Sequence, residues 1–272
     1  MTGVQTCALP PDFVVEVIAA NKALFSRYTA TNGTPDYRRA VSDWLMRHYD
    51  LPDGMIEPDR HVLPVAGLRE GMFMIAQIVT PEIKAGATPT ILMPNPFYHP
   101  YAGAALAAHG EPVFVPALPE NRFMPDYAGL DEATLARAAA VYLCSPANPQ
   151  GAAADMDYLT AMIKLARAHD FLLIVDECYA EIYTGARPVG ALEAAARLGG
   201  SLDNLAVLHS LSKRPNAPGL RSEERPLVKE CRSRWSPYQH KIKHHTLSHP
   251  RVYLSANIPP LLVRLILPPP PS

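Results

Sequence analysis

Five short apolar runs, separated by helix-forming stretches, constrain the fold of this chain more than any other feature. The runs are TILMP, PVFVP, AVYLCS, FLLIVDE and LAVLHS, and each is bounded by turn residues. Short apolar runs that alternate with amphipathic stretches such as YLTAMIKLARAHD are typical of parallel strands buried on both faces. The pattern predicts an α/β protein whose strands end at one edge of the sheet, where ligands of open α/β sheets bind.

Two helices can be predicted before the first of these runs. The stretch TPDYRRAVSDWLMRHYD offers Thr34 as an N-cap and Pro35 as the first helical residue. Val41, Leu45 and Tyr49 then follow at helical intervals. The stretch GLREGMFMIAQIV is apolar almost throughout, so we expect a largely buried helix there.

Composition excludes several classes of protein. A chain of 272 residues can bury a sizeable core, and its formal net charge of -1 gives no field that favours nucleic acid or an anionic membrane. No run of about 18 apolar residues predicts a spanning helix, and the start of the chain does not resemble a secretory signal. The four cysteines include no C-x-x-C pair, which fits reduced thiols in a cytoplasmic protein.

Both ends of the chain differ in character from the rest. The leader TGVQTCALP and the charged string RSEERPLVKECRSRWSPYQHKIKHH show no helix or strand period, and both resemble translated sequencing-adapter DNA. We therefore expect a non-native leader at residues 1–10, a native truncated domain at 11–221 and a non-native, disordered tail at 222–272. The alternative for the tail is an ordinary disordered basic segment. Its HKIKHHTLSH tract lacks carboxylate or cysteine support, so no metal site is predicted.

Two charged residues stand where predicted strands end. Lys213 follows LAVLHS in a turn with Ser210 and Ser212, and a lysine desolvated at such an edge becomes nucleophilic. By itself the pattern also fits an ordinary surface lysine. Asp176 ends another apolar run, where a carboxylate needs a cationic or hydrogen-bonding partner such as a protonated pyridine nitrogen. The alternative is an aspartate that caps a helix.

Two further motifs could complete a ligand site. Asn148 lies between two prolines in CSPANPQG, which would fix its amide in the same cleft, although a plain turn explains the motif equally well. Gly67 precedes a predicted helix in PVAGLREG, and the unpaired N–H groups of a helix start can bind phosphate. Glycine before a helix is nevertheless common. Each motif is weak alone, and the order and spacing of all four are more informative.

Taken together, these motifs resemble the fold type I pyridoxal-phosphate (PLP) enzymes, specifically the class I and II aminotransferases. The resemblance covers about residues 25–221, most of the family's large domain. It implies a three-layer sandwich with a mostly parallel sheet, here incomplete and without the small C-terminal domain. Within the family, LMPNPFYHPYAGAALAAHGEPVFVP and HSLSKRPNAPGLR look most like succinyldiaminopimelate aminotransferases of lysine biosynthesis. The other matching runs are YTATNGTPDYRRAV, GLREGMF, PNPFYHPY, CSPANPQG and VDECYAEIY.

The resemblance implies a role for each matching residue around the ring of PLP. Lys213 would form the Schiff base and carry the proton to and from the substrate. Asp176 would pair with the pyridinium nitrogen and keep it protonated. Asn148 and Tyr179 would hydrogen-bond the phenolic oxygen, and Tyr98 would stack on the face of the ring.

The resemblance also implies a phosphate site and a dimer. Leu68 stands where the family usually carries a hydroxyl residue, so one side-chain hydrogen bond to the phosphate is expected to be missing. Tyr28 matches a tyrosine that reaches the cofactor phosphate of the partner subunit, which implies a homodimer. The phosphate residues implied for this chain are Gly67, Leu68, Arg69, Ser210, Ser212 and Arg221.

The function implied by the resemblance is a PLP-dependent transaminase. It would use the Lys213 Schiff base to move an amino group between an amino acid, with N-succinyl-diaminopimelate as a candidate, and 2-oxoglutarate. One alternative is a PLP-dependent C–S lyase or decarboxylase on the same scaffold. Another is a non-catalytic fragment, because the small domain that grips the substrate carboxylate is not recognisable after Ser222. We expect small-molecule partners, no nucleic acid and no membrane, and little or no activity from the chain as it stands.

Overall fold

The computed structural model of the protein describes residues 12–26, 28 and 30–213. The predicted leader at 1–10, the predicted tail at 222–272 and Arg221 lie outside these residues, so their assignment stays a prediction. Within the described part, the helices are α1 (Asp12–Ala20), α2 (Pro35–His48), α3 (Pro58–His61), α4 (Leu68–Val79), α5 (His99–Ala107), α6 (Glu132–Ala136), α7 (Met156–His169) and α8 (Ala191–Arg197), with 3-10 turns at Lys22–Ser26 and Pro119–Asn121.

Each of the five apolar runs forms one strand of a single sheet. The strands pair in parallel in the order β2-β1-β3-β4-β5, which confirms the predicted α/β class. In chain order, β2 adds to one side of β1, and β3, β4 and β5 then add to the other side, so the direction in which strands are added reverses. Such a reversal opens a crevice at the carboxyl ends of the two strands that flank it. The strands are β1 (Thr90–Asn95), β2 (Glu111–Pro116), β3 (Ala138–Cys144), β4 (Leu172–Asp176) and β5 (Leu205–Leu208).

Alternate residues of the central strands supply two separate cores, one on each face of the sheet. In β4, Leu173 and Val175 join a cluster that includes α7 and α8, whereas Ile174 joins a cluster with α4 and α5. This period of two is what a strand covered on both faces requires. The sheet therefore lies between two helical layers, as the predicted three-layer sandwich demands.

Helix α2 begins as the sequence predicts. Thr34 is its N-cap, and the side-chain oxygen of Thr34 accepts a hydrogen bond from the Tyr37 N–H at 3.2 Å. Pro35 occupies the first turn, where its missing N–H costs no intrahelical hydrogen bond.

Helix α4 forms where predicted, but the expectation that it is largely buried is wrong. Gly71, Met72 and Ala76 are buried, whereas Met74 is 57% exposed and Ile78 66% exposed. The reason is that α4 lies in an outer layer and packs through one stripe only. The exposed stripe carries the polar Arg69, Glu70 and Gln77, but Met74 and Ile78 lie on it as well, so the apolar residues alone did not mark the buried stripe.

Within the described residues, no helix is long and apolar enough to cross a membrane. The longest, α2 and α7, have 14 residues each, against the roughly 20 that a bilayer requires. The same part of the chain contains no group of three or more His, Cys, Asp or Glu side chains arranged to hold a metal ion.

Candidate functional site

A cavity of about 400 Å³ lies at the sheet edge where β1, β3, β4 and β5 end and α4 begins. It brings together nearly all of the predicted site residues, although they are spread over some 150 positions of the chain. Tyr28 is fully exposed and does not line the cavity, and its contact with a partner subunit stays a prediction. Arg221 lies outside the described residues. The predicted residues that line the cavity are Gly67, Leu68, Arg69, Tyr98, Asn148, Asp176, Tyr179, Ser210, Ser212 and Lys213.

Asp176 is the last residue of β4 and is a buried carboxylate held at both oxygens. Its Oδ1 accepts a hydrogen bond from the Cys178 N–H at 3.1 Å, and its Oδ2 accepts one from the Tyr101 hydroxyl at 3.0 Å. Burial raises the pKa of Asp176, while these hydrogen bonds act to lower it. A cation entering the cavity would meet an oriented carboxylate in a poorly solvated environment, where opposite charges attract strongly.

Lys213 lies in the turn that follows β5 and lines the same cavity as Asp176. The Ser210 hydroxyl oxygen accepts a hydrogen bond from the Ser212 N–H at 3.0 Å, which shapes this turn. The Lys213 Nζ approaches the ring of Tyr179 to 5.7 Å from its centroid. The lysine is exposed in the described part of the chain, so the desolvation that the sequence suggested is not present there.

Asn148 and Tyr179 form a pair of hydrogen-bonding groups beside Asp176. The Asn148 side-chain N–H donates to the Tyr179 hydroxyl at 3.1 Å, although the two residues come from loops after different strands. Burial raises the pKa of Tyr179 to about 12, so its hydroxyl keeps its proton at neutral pH. An amide and a neutral phenol can together donate hydrogen bonds to one anionic oxygen of a ligand.

The start of α4 provides a site suited to an anion. Gly67 is the N-cap in an extended conformation, and the helix begins at Leu68. The Arg69 Nε–H donates to the Tyr98 hydroxyl at 3.2 Å. Tyr98 is in turn the N-cap residue of α5, so the arginine connects the starts of two helices. The N–H groups of a first helical turn, the positive end of the helix dipole and a guanidinium all favour a phosphate.

Tyr101 was not predicted from the sequence, although its side chain contacts the predicted site directly. Tyr101 lines the cavity and donates a hydrogen bond to Asp176, yet the resemblance assigned a role only to Tyr98 within PNPFYHPY. A signal was present, because residues three apart at a helix start share a face. The rings of Tyr98 and Tyr101 lie edge to face with their centroids 5.8 Å apart.

Glu177 was not predicted from the sequence either, and its side chain connects the elements that lie behind the site. Its Oε2 accepts from the Tyr49 hydroxyl at 2.6 Å, and its Oε1 accepts from the Ala191 N–H at 2.7 Å. These bonds tie the end of β4 to the residue after α2 and to the start of α8. The Tyr49 ring packs directly against Gly190, the N-cap of α8.

Gly190→Ala is expected to destabilise the protein by about 1–3 kcal/mol, the usual cost of overpacking. A methyl group on Gly190 would overlap Tyr49 Cε1 and lie 2.9 Å from its Cζ, and the hydrogen bond to Glu177 prevents the ring from moving aside freely. Urea unfolding measures the change in free energy of unfolding. The control is Gly103→Ala in α5, where the nearest atom lies 4.0 Å from the new methyl and helix propensity predicts a small gain. Equal effects at both positions would contradict this account of the Tyr49 contact.

The sequence of this chain is similar to those of known aminotransferases. The family model described as aminotransferase class I and II matches residues 4–222. An LL-diaminopimelate aminotransferase from Desulforudis audaxviator is 34% identical over 217 residues, which cover 78% of this chain and 52% of that protein. Another from Aquifex aeolicus is 31% identical over 218 residues, with the same two coverages. The chain thus spans about half the length of the curated relatives that it matches.

Solved structures agree with the sequence comparison. An aminotransferase from Neisseria meningitidis superposes with a TM-score of 0.72 at 38% identity, covering 79% of this chain and 53% of that one. An aminotransferase from Helicobacter pylori gives a TM-score of 0.71 at 33% identity, covering 79% and 55%. The similarity therefore extends through the sheet and the cavity edge described above.

Proposed function

Because this chain belongs to the class I and II aminotransferases, we propose that it is the cofactor-binding part of a PLP-dependent aminotransferase, with Lys213 as its reactive amine. The family depends on PLP. The single observation that supports the proposal most is the cavity that gathers Lys213, Asp176 and the start of α4. Since the chain spans about half the length of its relatives, its activity, substrates and partners are all part of the proposal.

The donor set of the cavity fits PLP group by group. Asp176 offers a carboxylate to a protonated ring nitrogen, and Asn148 with Tyr179 offers two donors to the phenolic oxygen. The start of α4 and Arg69 suit the phosphate. A volume of about 400 Å³ is in the range of small-molecule sites, roughly 300–1,000 Å³.

Each residue has a defined task in transamination. When bound, PLP supplies an electron-withdrawing ring that stabilises negative charge at the substrate Cα. Asp176 would balance the positive charge of the ring nitrogen and so keep that nitrogen protonated. The Lys213 Nζ would hold the cofactor, and the same amine would serve as the base that moves the proton at the substrate Cα. Tyr179 and Asn148 would donate hydrogen bonds to the phenolic oxygen and so stabilise its negative charge.

For the amino donor we propose a diaminopimelate-type amino acid, and for the acceptor 2-oxoglutarate. Two relatives described above are named LL-diaminopimelate aminotransferases, which supports the diaminopimelate skeleton and a place in lysine biosynthesis. The N-succinyl derivative rests on the motif resemblance alone. The homodimer suggested by Tyr28 and a cytoplasmic location likewise remain predictions.

The test is covalent capture of PLP by the full 272-residue chain. The protein is titrated with PLP while visible absorption is followed, reduced with borohydride, digested and mapped by mass spectrometry. We expect one PLP group, on the peptide that contains Lys213. Capture at many lysines without preference, or no capture, would refute the proposed cofactor site.

A second sample, loaded with PLP but not reduced, is then given each candidate amino donor without an acceptor, and the products distinguish the alternatives. Formation of the 2-oxo acid that keeps the whole carbon skeleton of the donor, without release of thiol or CO₂, identifies an aminotransferase. Release of thiol identifies a lyase, and release of CO₂ identifies a decarboxylase. Capture with none of these products would support a cofactor-binding part whose substrate-binding groups lie outside this chain.

A further inference from the structure

We infer that Tyr101 is a positioning residue, whose buried hydroxyl holds Asp176 in the orientation that meets the ring nitrogen of bound PLP. The inference rests on the proposed function, since it concerns how the same site treats one atom of the cofactor. It assigns a task to a residue outside the set predicted from the sequence.

The hydrogen bonds of Asp176 leave its carboxylate little freedom to rotate. Tyr101 holds Oδ2 at 3.0 Å and the Cys178 N–H holds Oδ1 at 3.1 Å, so turning the carboxylate would break both bonds. The Cys178 bond comes from the backbone of the same turn and moves with Asp176. The Tyr101 bond comes from another element, α5, and therefore fixes the carboxylate relative to the rest of the site.

The Tyr101 hydroxyl is itself held in place by a second tyrosine. The rings of Tyr101 and Tyr142 stack with their centroids 4.3 Å apart and their planes 8° apart, and both side chains are buried. The Tyr142 hydroxyl donates to the Met72 carbonyl of α4 at 2.7 Å. Direct contacts therefore link α4, which begins at the proposed phosphate site, to Tyr142, Tyr101 and finally Asp176. Asp176 is the carboxylate proposed to meet the ring nitrogen. We call Tyr101 and Tyr142 the tyrosine strut.

The Tyr101 hydroxyl also affects the pKa of Asp176. Burial raises the pKa of Tyr101 well above its ordinary value, so Tyr101 keeps its proton and acts as the donor. Burial also raises the pKa of Asp176, and the hydrogen bonds from Cys178 and from Tyr101 oppose that rise. Removal of the hydroxyl would leave a less oriented carboxylate that holds a proton more readily, and both changes weaken its attraction for a pyridinium.

The experiment compares two ligands that differ only at the ring nitrogen. One is PLP, and the other is the PLP analogue in which a C–H group replaces that nitrogen. Dissociation constants for both are measured with the full chain and with Tyr101→Phe, which keeps the stacked ring and removes the hydroxyl. We expect Tyr101→Phe to weaken PLP about tenfold or more and to change the analogue less than about twofold.

Two variants separate this task from general packing. Tyr127→Phe is the matched control, because the Tyr127 hydroxyl is equally buried but donates to the Tyr142 carbonyl at 2.6 Å rather than to Asp176. It should leave the affinity ratio of the two ligands unchanged. Tyr142→Phe keeps the Tyr101 hydroxyl and removes the anchor to α4, so it should show a smaller loss that is still selective for PLP. This variant also carries the test if Tyr101→Phe fails to fold.

The outcomes distinguish the inference from the proposed function. If Tyr101→Phe weakens both ligands equally, or neither, the tyrosine strut does not act through the ring nitrogen and the inference is wrong. The same conclusion follows if Tyr127→Phe shifts the ratio as much as Tyr101→Phe does. If the unaltered chain binds neither ligand, the proposed function itself fails, and the inference fails with it.

Discussion

Lys213→Met is expected to abolish the borohydride-stable attachment of PLP and to leave the fold intact. Lys213 is exposed, and the contact described for its Nζ is a 5.7 Å approach to the Tyr179 ring, so methionine should cost little stability. Methionine keeps a long unbranched side chain but has no amine to attach the cofactor or to carry a proton. Any amino transfer by the complete enzyme should fall by at least about 10²–10⁴-fold, the usual contribution of a proton-transferring group.

The measurement is the mass of the reduced, digested protein, together with the visible absorption of the PLP-treated protein. Lys164→Met is the matched control, since Lys164 is also an exposed lysine but lies on α7 and does not line the cavity. It should retain full capture. Capture that persists in Lys213→Met, at the same stoichiometry, would show that another amine is the attachment point and would remove the basis of the proposed mechanism.

The sequence predicted the edge of the sheet well, for a clear physical reason. A buried parallel strand must end in a turn, and its polar residues collect at that end. Asn148, Asp176 and Lys213 each stand at or just after the end of a recognisable apolar run, so parallel topology places all three at one edge of the sheet. The adjacent order β3-β4-β5 then brings them into one cavity.

Contacts between distant elements could not be predicted in the same way. Tyr49 and Glu177 are hydrogen-bonded across 128 positions, and nothing local in either stretch specifies the partner. Tyr101 reaches Asp176 because α5 packs on one particular face of the sheet, which a one-dimensional pattern does not reveal. The exposed stripe of α4 escaped prediction for the same reason.

Glu177→Gln is expected to remove a pH dependence that is built into the core. Glu177 is almost completely buried, and burial raises its pKa to about 7, while the hydrogen bonds from Ala191 and Tyr49 oppose that rise. The amide of glutamine can make similar bonds, with its oxygen accepting from the Ala191 N–H and its N–H₂ donating to the Tyr49 oxygen. The variant therefore removes the ionisation and largely keeps the packing.

Two further carboxylates and a histidine also face Glu177. The negative charges of Glu193 and Asp176 add to the rise of its pKa. The His209 Nε2 lies 3.6 Å from its Oε2 and could offset part of that rise when protonated. The pH dependence of the free energy of unfolding therefore includes contributions from all these groups. Only the difference between the unaltered protein and Glu177→Gln isolates the contribution of Glu177.

The direction of the effect follows from proton linkage. An acid whose pKa is higher in the folded than in the unfolded protein binds its proton more tightly when folded. The contribution of Glu177 to stability is thus fully present below its unfolded pKa of 4.5 and is lost as the pH rises through about 7. With about 1.4 kcal/mol for each pKa unit, the loss amounts to roughly 3 kcal/mol.

Urea unfolding of both proteins at about pH 4.5 and about pH 8 tests this expectation. Relative to the unaltered protein, Glu177→Gln should gain roughly 3 kcal/mol in free energy of unfolding between the lower and the higher pH. The control is Glu120→Gln, which removes an exposed carboxylate and should follow the unaltered protein at both values. If the profiles of Glu177→Gln and the unaltered protein run parallel, the folded state compensates the Glu177 charge fully. The ionisation of Glu177 would then make no contribution to the pH dependence of stability.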